Sequence, residues 1–292
     1  MNTPKDTAAQ KGFAESRDIT KKWAKSFYFA SLFLPKEKRY ASYAVYAVCR
    51  ACDYSVDNIT DTSKSQNLSR IKEIIKEAYE DIPLTQNVAL AFRETIRTYQ
   101  IPKEYFDNLI DGMSMDLTKN RYENFEELHA YCYKVAGIVG LIMLKILGHN
   151  HKEAEHHAVD LGIAMQLTNI LRDIKEDYSL NRIYLPRDEM ISNHLNDQTI
   201  AEEQWNEDFR NFMKFQIARA RKYYENSAKG IPMISSARSR LVVLMMKDIY
   251  SGILTAIERT RYDIFAKRVR VSMLRKIFLL LRILLKGQFM NP

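Results

Sequence analysis

Residues 161–177 read LGIAMQLTNILRDIKED, and they leave the chain few ways to fold. Gly162, Gln166, Asn169, Asp173 and Asp177 follow one another at spacings of 4, 3, 4 and 4, which lines one face of an α-helix. Leu161, Ile163, Met165, Leu167, Ile170, Leu171 and Ile174 cover the other faces. A helix apolar nearly all round is buried. Buried polar groups without partners are costly, so the stripe must face a polar cavity or buried partners. Gly162 continues the stripe without a side chain and is expected to leave room for a ligand.

A second stripe stands earlier, in YASYAVYAVCRACDYSVD. Tyr43, Tyr46, Arg50, Asp53 and Asp57 are spaced 3, 4, 3 and 4, with Ala44, Val45, Ala47, Val48 and Ala51 around them. Two buried helices therefore each carry a D-x-x-x-D pair. Carboxylates one helical turn apart repel by roughly a few tenths of a kcal/mol even on an exposed helix. Four converging ones call for cations, and Mg²⁺ commonly links one or two carboxylates to substrate phosphates. Arg50 and Arg172, beside the two pairs, suit the same phosphates. The plainer reading makes Arg50–Asp53 and Arg172–Asp173/Glu176 internal salt bridges. Two matching stripes, with Gln166 and Asn169 added, favour a Mg²⁺–diphosphate site. A di-iron bundle would want Glu-x-x-His on the inner faces, and neither stripe has one.

The rest of the chain is consistent with an all-α domain. Only 9 Gly and 7 Pro punctuate 292 residues, and no convincing period-two strand appears. Residues 1–18 read as a flexible tail, with one domain over 19–292. Helices are predicted over 19–34, 36–58, 69–80, 86–99, 103–118, 125–147, 152–178, 201–228, 235–264 and 271–286. The run 60–69 reads as a loop, and 181–190 as a turn or extended stretch. The net charge of +8 suits anionic partners. No nucleic-acid signature is present, and nucleic acid is not an expected partner. Three cysteines argue for a reducing compartment. With no secretory leader pattern and no run of about 18 apolar residues, a cytoplasmic location is expected, at the membrane surface if the last helix docks there.

At the two stripes the chain resembles the squalene/phytoene synthases, which join two prenyl diphosphates head to head. The resemblance covers residues 22–280 and rests on AKSFYFASLFLP, YAVCRACDYSVD, MSMDLTKNRY, YCYKVAGIVG, QLTNILRDIKED, RIYLP and YSGILTAIERTRYDIFAKRVRV. It implies the all-α isoprenoid synthase fold, a helical bundle around a central active-site cavity. It implies that Asp53, Asp57, Asp173 and Asp177, with Asn169, hold Mg²⁺ (or Mn²⁺) and ionise diphosphate. Lys25, Ser26, Arg50, Arg172, Tyr250 and Arg268 match positions that hold diphosphate. Tyr131, Gln166 and Asn169 match further active-site positions, Tyr131 as a group that steadies a carbocation or helps proton transfer.

The implied chemistry passes through a cyclopropylcarbinyl diphosphate. WNEDFRNFMKFQIARARKYYENSAKGIP, MDLTKNRY and ERTRYDIFAKR look most like phytoene synthases, which condense two geranylgeranyl diphosphates. The alternatives are squalene, presqualene diphosphate or dehydrosqualene formation from farnesyl diphosphate, and a scaffold protein on the same fold. Squalene formation alone would need NADPH. Trp23, Tyr54, Lys134 and Asn181 depart from common family residues, Asn181 replacing a Gly.

Other signals carry less. Cys49 and Cys52 form a C-x-x-C without a βαβ context or a second pair, and are assigned to core packing. His149, His151, His156 and His157 are assigned to a solvated turn and helix start. In VSMLRKIFLLLRILLK, Arg275, Arg282 and Lys286 share a face while Leu274, Ile277, Phe278, Leu281 and Leu285 lie largely elsewhere. That pattern fits a membrane-surface helix or an ordinary capping helix.

Overall fold

Helices stop where Pro and Gly stand: Pro35 separates the second and third helices, Pro102 caps the sixth, and Gly148, at φ 77°, ends the eighth. The computed structural model describes the backbone of residues 4–57, 63–287 and 289–290, and the side chains of 8–56, 63–287 and 289–290. Of the loop expected over 60–69, residues 60–62 lie outside the described residues, as does the Asp57 side chain, and residues 64–69 are helical instead. The chain opens with α1 (Pro4–Trp23), α2 (Lys25–Ser31) and α3 (Lys36–Asp57), then α4 (Lys64–Tyr79), α5 (Asn87–Thr98) and α6 (Lys103–Thr118). Helix α7 (Phe125–Cys132) passes through a π-helical turn, Tyr133–Gly137, into α8 (Ile138–Leu147). Next come α9 (Ala154–Arg172), α10 (Ile174–Ser179), α11 (Arg187–Ser192) and α12 (Asp197–Ala201). The long α13 (Glu207–Ala228) and α14 (Ala237–Arg259) are joined through a 3-10 turn at Ile231–Met233, and α15 (Met273–Lys286) follows.

Helix α9 sits at the centre, packed against α13, α8, α14 and the π-helical turn. This is the position its nearly all-round apolar surface requires. Gly162 permits the approach to the π-helical turn: a Cβ there would stand 2.2 Å from the Ala136 carbonyl oxygen. The gap in the stripe thus serves helix packing as well as the cavity.

Three expectations are corrected. Residues 4–18 are not a tail but most of α1, which packs on α3 and α5 with Ala9, Ser16 and Thr20 buried. A polar helix can be buried there because the Ser16 and Thr20 hydroxyls bond back to the Gly12 and Ser16 carbonyls. A small parallel sheet also exists, β1 (Arg121–Tyr122) beside β2 (Ile183–Pro186), too short to show a period of two. The helix expected over 152–178 breaks at Asp173, whose backbone (φ −108°, ψ 16°) caps α9 and begins α10. The stretch Phe125–Leu147 is long and apolar enough to span a membrane by length and composition, yet over half of it is buried in the protein and it packs on α9 and α6.

Candidate active site

Helices α3, α8, α9 and α14 enclose a cavity of about 290 Å³ whose walls are largely apolar. On α9 the lining runs from Ala154 to Asn169, and on α3 from Ser42 to Cys49. Tyr46 of the first stripe and Gly162, Gln166 and Asn169 of the second therefore border one space, while Asp53, Asp173 and Asp177 are not among the lining residues. Gln166 and Asn169 line one end of it, next to Tyr46 and Tyr250. Burial pushes the Tyr46 hydroxyl up to about 12 and raises that of Tyr250, so both remain neutral donors at ordinary pH.

Beyond Asn169 along the chain stands a cluster of charges around Asp173. Arg172 binds Asp173 through two nitrogens, the Nε–Oδ1 distance being 2.7 Å. Arg268 reaches the same carboxylate with Nε at 2.8 Å and Nη2 at 2.7 Å, and lies 3.6 Å from Glu176. Asp173 thus carries two forked guanidiniums, the geometry in which arginine holds carboxylate or phosphate best. Burial opposes the charge on Arg172, but the hydrogen bonds and charge of Asp173 outweigh it, and its pKa is raised.

Arg182, buried, joins the two acidic motifs. Its amide donates to the Asp177 carbonyl at 2.9 Å, and its Nη2 donates to the Val56 carbonyl at 3.1 Å, next to Asp57. The turn before it depends on Asn181, which holds φ 60°. Asn tolerates this left-handed conformation, as Gly does. The departure at this position therefore preserves the backbone.

Tyr131 does not line the cavity. It is buried in a tyrosine cluster with Tyr122 and Tyr184, and its hydroxyl donates to Asp116 Oδ2 at 2.9 Å. Tyr184 donates to Asp116 Oδ1 at 2.8 Å. Burial raises both tyrosine pKa values.

At the cavity's other flank, Lys25 opens α2 beside Ala24, which lines the cavity. Arg50 lies 4.7 Å over the Trp23 ring, a cation–π contact. Trp23 thus supports a cation predicted to grip phosphate. Lys276 of α15 is buried, and its pKa is lowered by burial and by the nearby Lys25. Two ammonium groups this close are stable when an anion joins them. Lys276, Asp116, Tyr184 and Arg182 are the residues that sequence reasoning missed. Lys276 had one signal, a lysine among leucines on the apolar face of a helix. Asp116 and Tyr184 stand in the matching segments MSMDLTKNRY and RIYLP, with no spacing that marks them.

The remaining predicted groups are less engaged. Ser26 sits beside Lys25 in the first turn of α2. Tyr54 is 56% exposed. Lys134 lies 3.6 Å from Asp111. Cys49 and Cys52 are free, and burial pushes both thiols up, Cys52 to about 12, so neither is a thiolate. One histidine differs from expectation: His157 is half-buried and lines the cavity.

The donors fit a hard divalent cation. Asp53, Asp173, Asp177 and Asn169 offer oxygen ligands, the set Mg²⁺ prefers. Among the described residues no three acidic, imidazole or thiol groups close on a common point. Both oxygens of Asp173 are held by guanidiniums, as the plainer salt-bridge reading of Arg172 and Asp173 expected, and a bound ion would have to share them.

Comparison with known proteins agrees with this geometry. A family model described as squalene/phytoene synthase matches residues 20–275. Phytoene synthase 1 (chloroplastic) of Arabidopsis thaliana is 36% identical over 271 residues, covering 89% of this chain and 63% of the relative. The chain thus spans less than two thirds of that relative. The 15-cis-phytoene synthase of Synechococcus elongatus is 35% identical, with 91% of this chain and 90% of the relative covered. Among solved structures, a dehydrosqualene synthase in complex with ligand superimposes with a TM-score of 0.90 at 31% identity, covering 97% of this chain and 99% of that one. Squalene synthase HpnC from Alicyclobacillus acidocaldarius gives 0.80 at 26% identity, with 87% and 96% covered.

Proposed function

The chain belongs to the squalene/phytoene synthase family, and we propose that it condenses two geranylgeranyl diphosphates head to head into phytoene. The observation that supports the reading is an apolar cavity along α9 lined as far as Asn169, one helical turn before Asp173 and its paired arginines. The family implies a divalent metal, and we assign Mg²⁺ to Asp53, Asp57, Asn169, Asp173 and Asp177. Bound there, Mg²⁺ would neutralise charge on the leaving diphosphate.

The protein's own groups do the rest. Arg50, Arg172, Arg268, Lys25, Lys276 and Tyr250 hold the diphosphates, with Ser26 beside them. One C–O bond breaks and its electron pair leaves with diphosphate. The double bond of the second substrate supplies the pair for the new C–C bond, and loss of a proton closes the cyclopropane. Departure of the second diphosphate, rearrangement and loss of a second proton give the hydrocarbon. Apolar walls keep water from the cations. Tyr131 and Asp116 form a hydrogen-bonded route along which a proton leaves. A hydride in place of the last proton loss would need NADPH.

Channel length favours the twenty-carbon substrate. Ala154 to Asn169 spans about 22 Å at 1.5 Å per residue. With carbon–carbon bonds of about 1.5 Å in a zigzag, an extended twenty-carbon chain reaches roughly 19 Å and a fifteen-carbon chain roughly 14 Å.

We also assign α15 to a membrane surface carrying anionic lipid. Lys276, Leu279 and Ile283 are buried, whereas Leu274, Phe278, Leu281 and Leu285 are exposed, Leu285 by 88%. From Lys267 to the end the chain carries seven basic residues and no acidic one. Exposed leucines beside basic residues match the interfacial helices of peripheral proteins. Serine at Leu274, Phe278 and Leu285 is expected to release the protein from anionic vesicles; unchanged partitioning would reject the assignment.

The deciding experiment incubates purified protein with Mg²⁺ and, separately, fifteen- and twenty-carbon prenyl diphosphates, with and without NADPH. Mass spectrometry of the hydrocarbons reads the outcome. A forty-carbon product without NADPH is expected. A thirty-carbon product moves the enzyme to the squalene branch, and no product from either substrate supports a scaffold.

A further inference from the structure

The far end of the channel, at the start of α9, is lined by Ala154, His157, Gly230 and Ile231, and His157 carries the ring among them. His157 lines the cavity three residues after Ala154, one turn nearer Asn169 and about 18 Å from it along α9 at 1.5 Å per residue. That distance is close to the reach of an extended twenty-carbon chain. Gly230, between α13 and the 3-10 turn, lines the same end. A Cβ on Gly230 would stand 2.3 Å from His157 Cβ and 2.9 Å from Cγ, so the absent side chain is what lets the imidazole lie there.

The ring is placed by packing. Its Nδ1 is buried with no hydrogen-bond partner, although buried polar atoms normally have one. Its Cβ, Cγ and Cδ2 instead lie against the Gly230 position. A cavity end formed by shape alone admits a chain up to a fixed length and rejects one that overruns it, because interiors are close-packed and yield little.

Resting on the prenyltransferase reading above, we propose that His157, seated on Gly230, is the residue that sets the upper chain length of the substrate at twenty carbons. Its ring meets the last isoprene unit. It takes no part in the chemistry, which lies at the other end of the channel.

The test varies the wall and reads length preference. Wild type, His157→Ala, His157→Trp and His157→Phe are assayed with fifteen-, twenty- and twenty-five-carbon prenyl diphosphates. Binding of the unreactive S-thiolodiphosphates of the same lengths is measured in parallel. His157→Ala is expected to raise kcat/KM and affinity for the twenty-five-carbon chain, relative to the twenty-carbon one, by about tenfold or more, since hydrophobic pockets discriminate about 10–200-fold per methylene-sized change. His157→Trp is expected to shift preference about as far toward fifteen carbons. His157→Phe, close in shape, is expected to keep the wild-type profile. If His157→Trp does not fold, Ala158→Val narrows the same end of the channel from the next position and supplies the shortening arm. Folded His157→Ala and shortening variants with the wild-type profile would overturn the proposal. Failure of wild type to make any hydrocarbon would instead overturn the prenyltransferase reading, while the thiolodiphosphate affinities would still judge the wall.

Discussion

Asp173→Asn separates the two charges that Asp173 balances from the ion it is assigned to bind. The carboxylate is 14% exposed and takes forked bonds from Arg172 and Arg268, whose side chains are 17% and 40% exposed. Without the negative charge, two guanidiniums face each other across an amide. At a separation of about 5 Å and an effective dielectric of 20, their repulsion is about 3 kcal/mol. The amide oxygen still accepts a hydrogen bond, and solvent screens Arg268, so the net loss of stability should be about 2 kcal/mol. In a chain of this size that lowers Tm by about 5 °C. The same repulsion should favour an anion. Inorganic pyrophosphate, titrated calorimetrically in the presence of a chelator, should bind the variant about tenfold more tightly than wild type, a gain of about 1.4 kcal/mol. With Mg²⁺ present the order should reverse, and turnover should collapse. If metal-free pyrophosphate binds the variant no better than wild type, the paired arginines are not its partners and the diphosphate assignment fails.

Three more outcomes follow from groups around the site. Lys276→Gln should raise KM for the prenyl diphosphate about tenfold with a smaller change in kcat. Because burial and Lys25 lower the Lys276 pKa, the wild-type KM should climb with alkaline pH earlier than that of the variant, as read from KM–pH profiles. Burial raises the pKa of Tyr46 to about 12 and moves Tyr122, Tyr131, Tyr184 and Tyr224 upward too. The unfolded chain therefore loses these protons first, near pH 10, so stability should fall steeply above that pH and not below it. A Tm that stays level to pH 11 would contradict the burial of these rings. Asp160 is buried with one oxygen that accepts no hydrogen bond and lies 3.6 Å from His156 Nε2, and burial raises its pKa against the opposing pull of His156. A carboxyl raised in the folded state costs stability above its unfolded pKa of about 3.9. Asp160→Asn should accordingly raise Tm at pH 7 and leave it unchanged at pH 3, as followed by circular dichroism.

The two stripes show how far residue spacing reaches. The 4, 3, 4, 4 pattern in 162–177 and its counterpart in 43–57 located α9 and α3, because a buried helix must gather its polar groups on one face. The same spacing could not show that α9 ends at Asp173, since one turned residue leaves the period intact. That break gives Asp173 to Arg268, which approaches from 95 residues away. Lys276, Asp116 and Arg182 were hidden for the same reason: each acts through a neighbour far along the chain. Residues 4–18 misled in the opposite direction, since low hydropathy reads as solvent exposure, whereas hydroxyls bonded to their own helix carry little cost when buried. Periodicity thus reports which face of a helix is buried, and tertiary convergence decides which charges meet. In this chain the chemistry we propose lies where the two coincide, at the end of α9, and the length selectivity assigned to His157 lies where only the second operates.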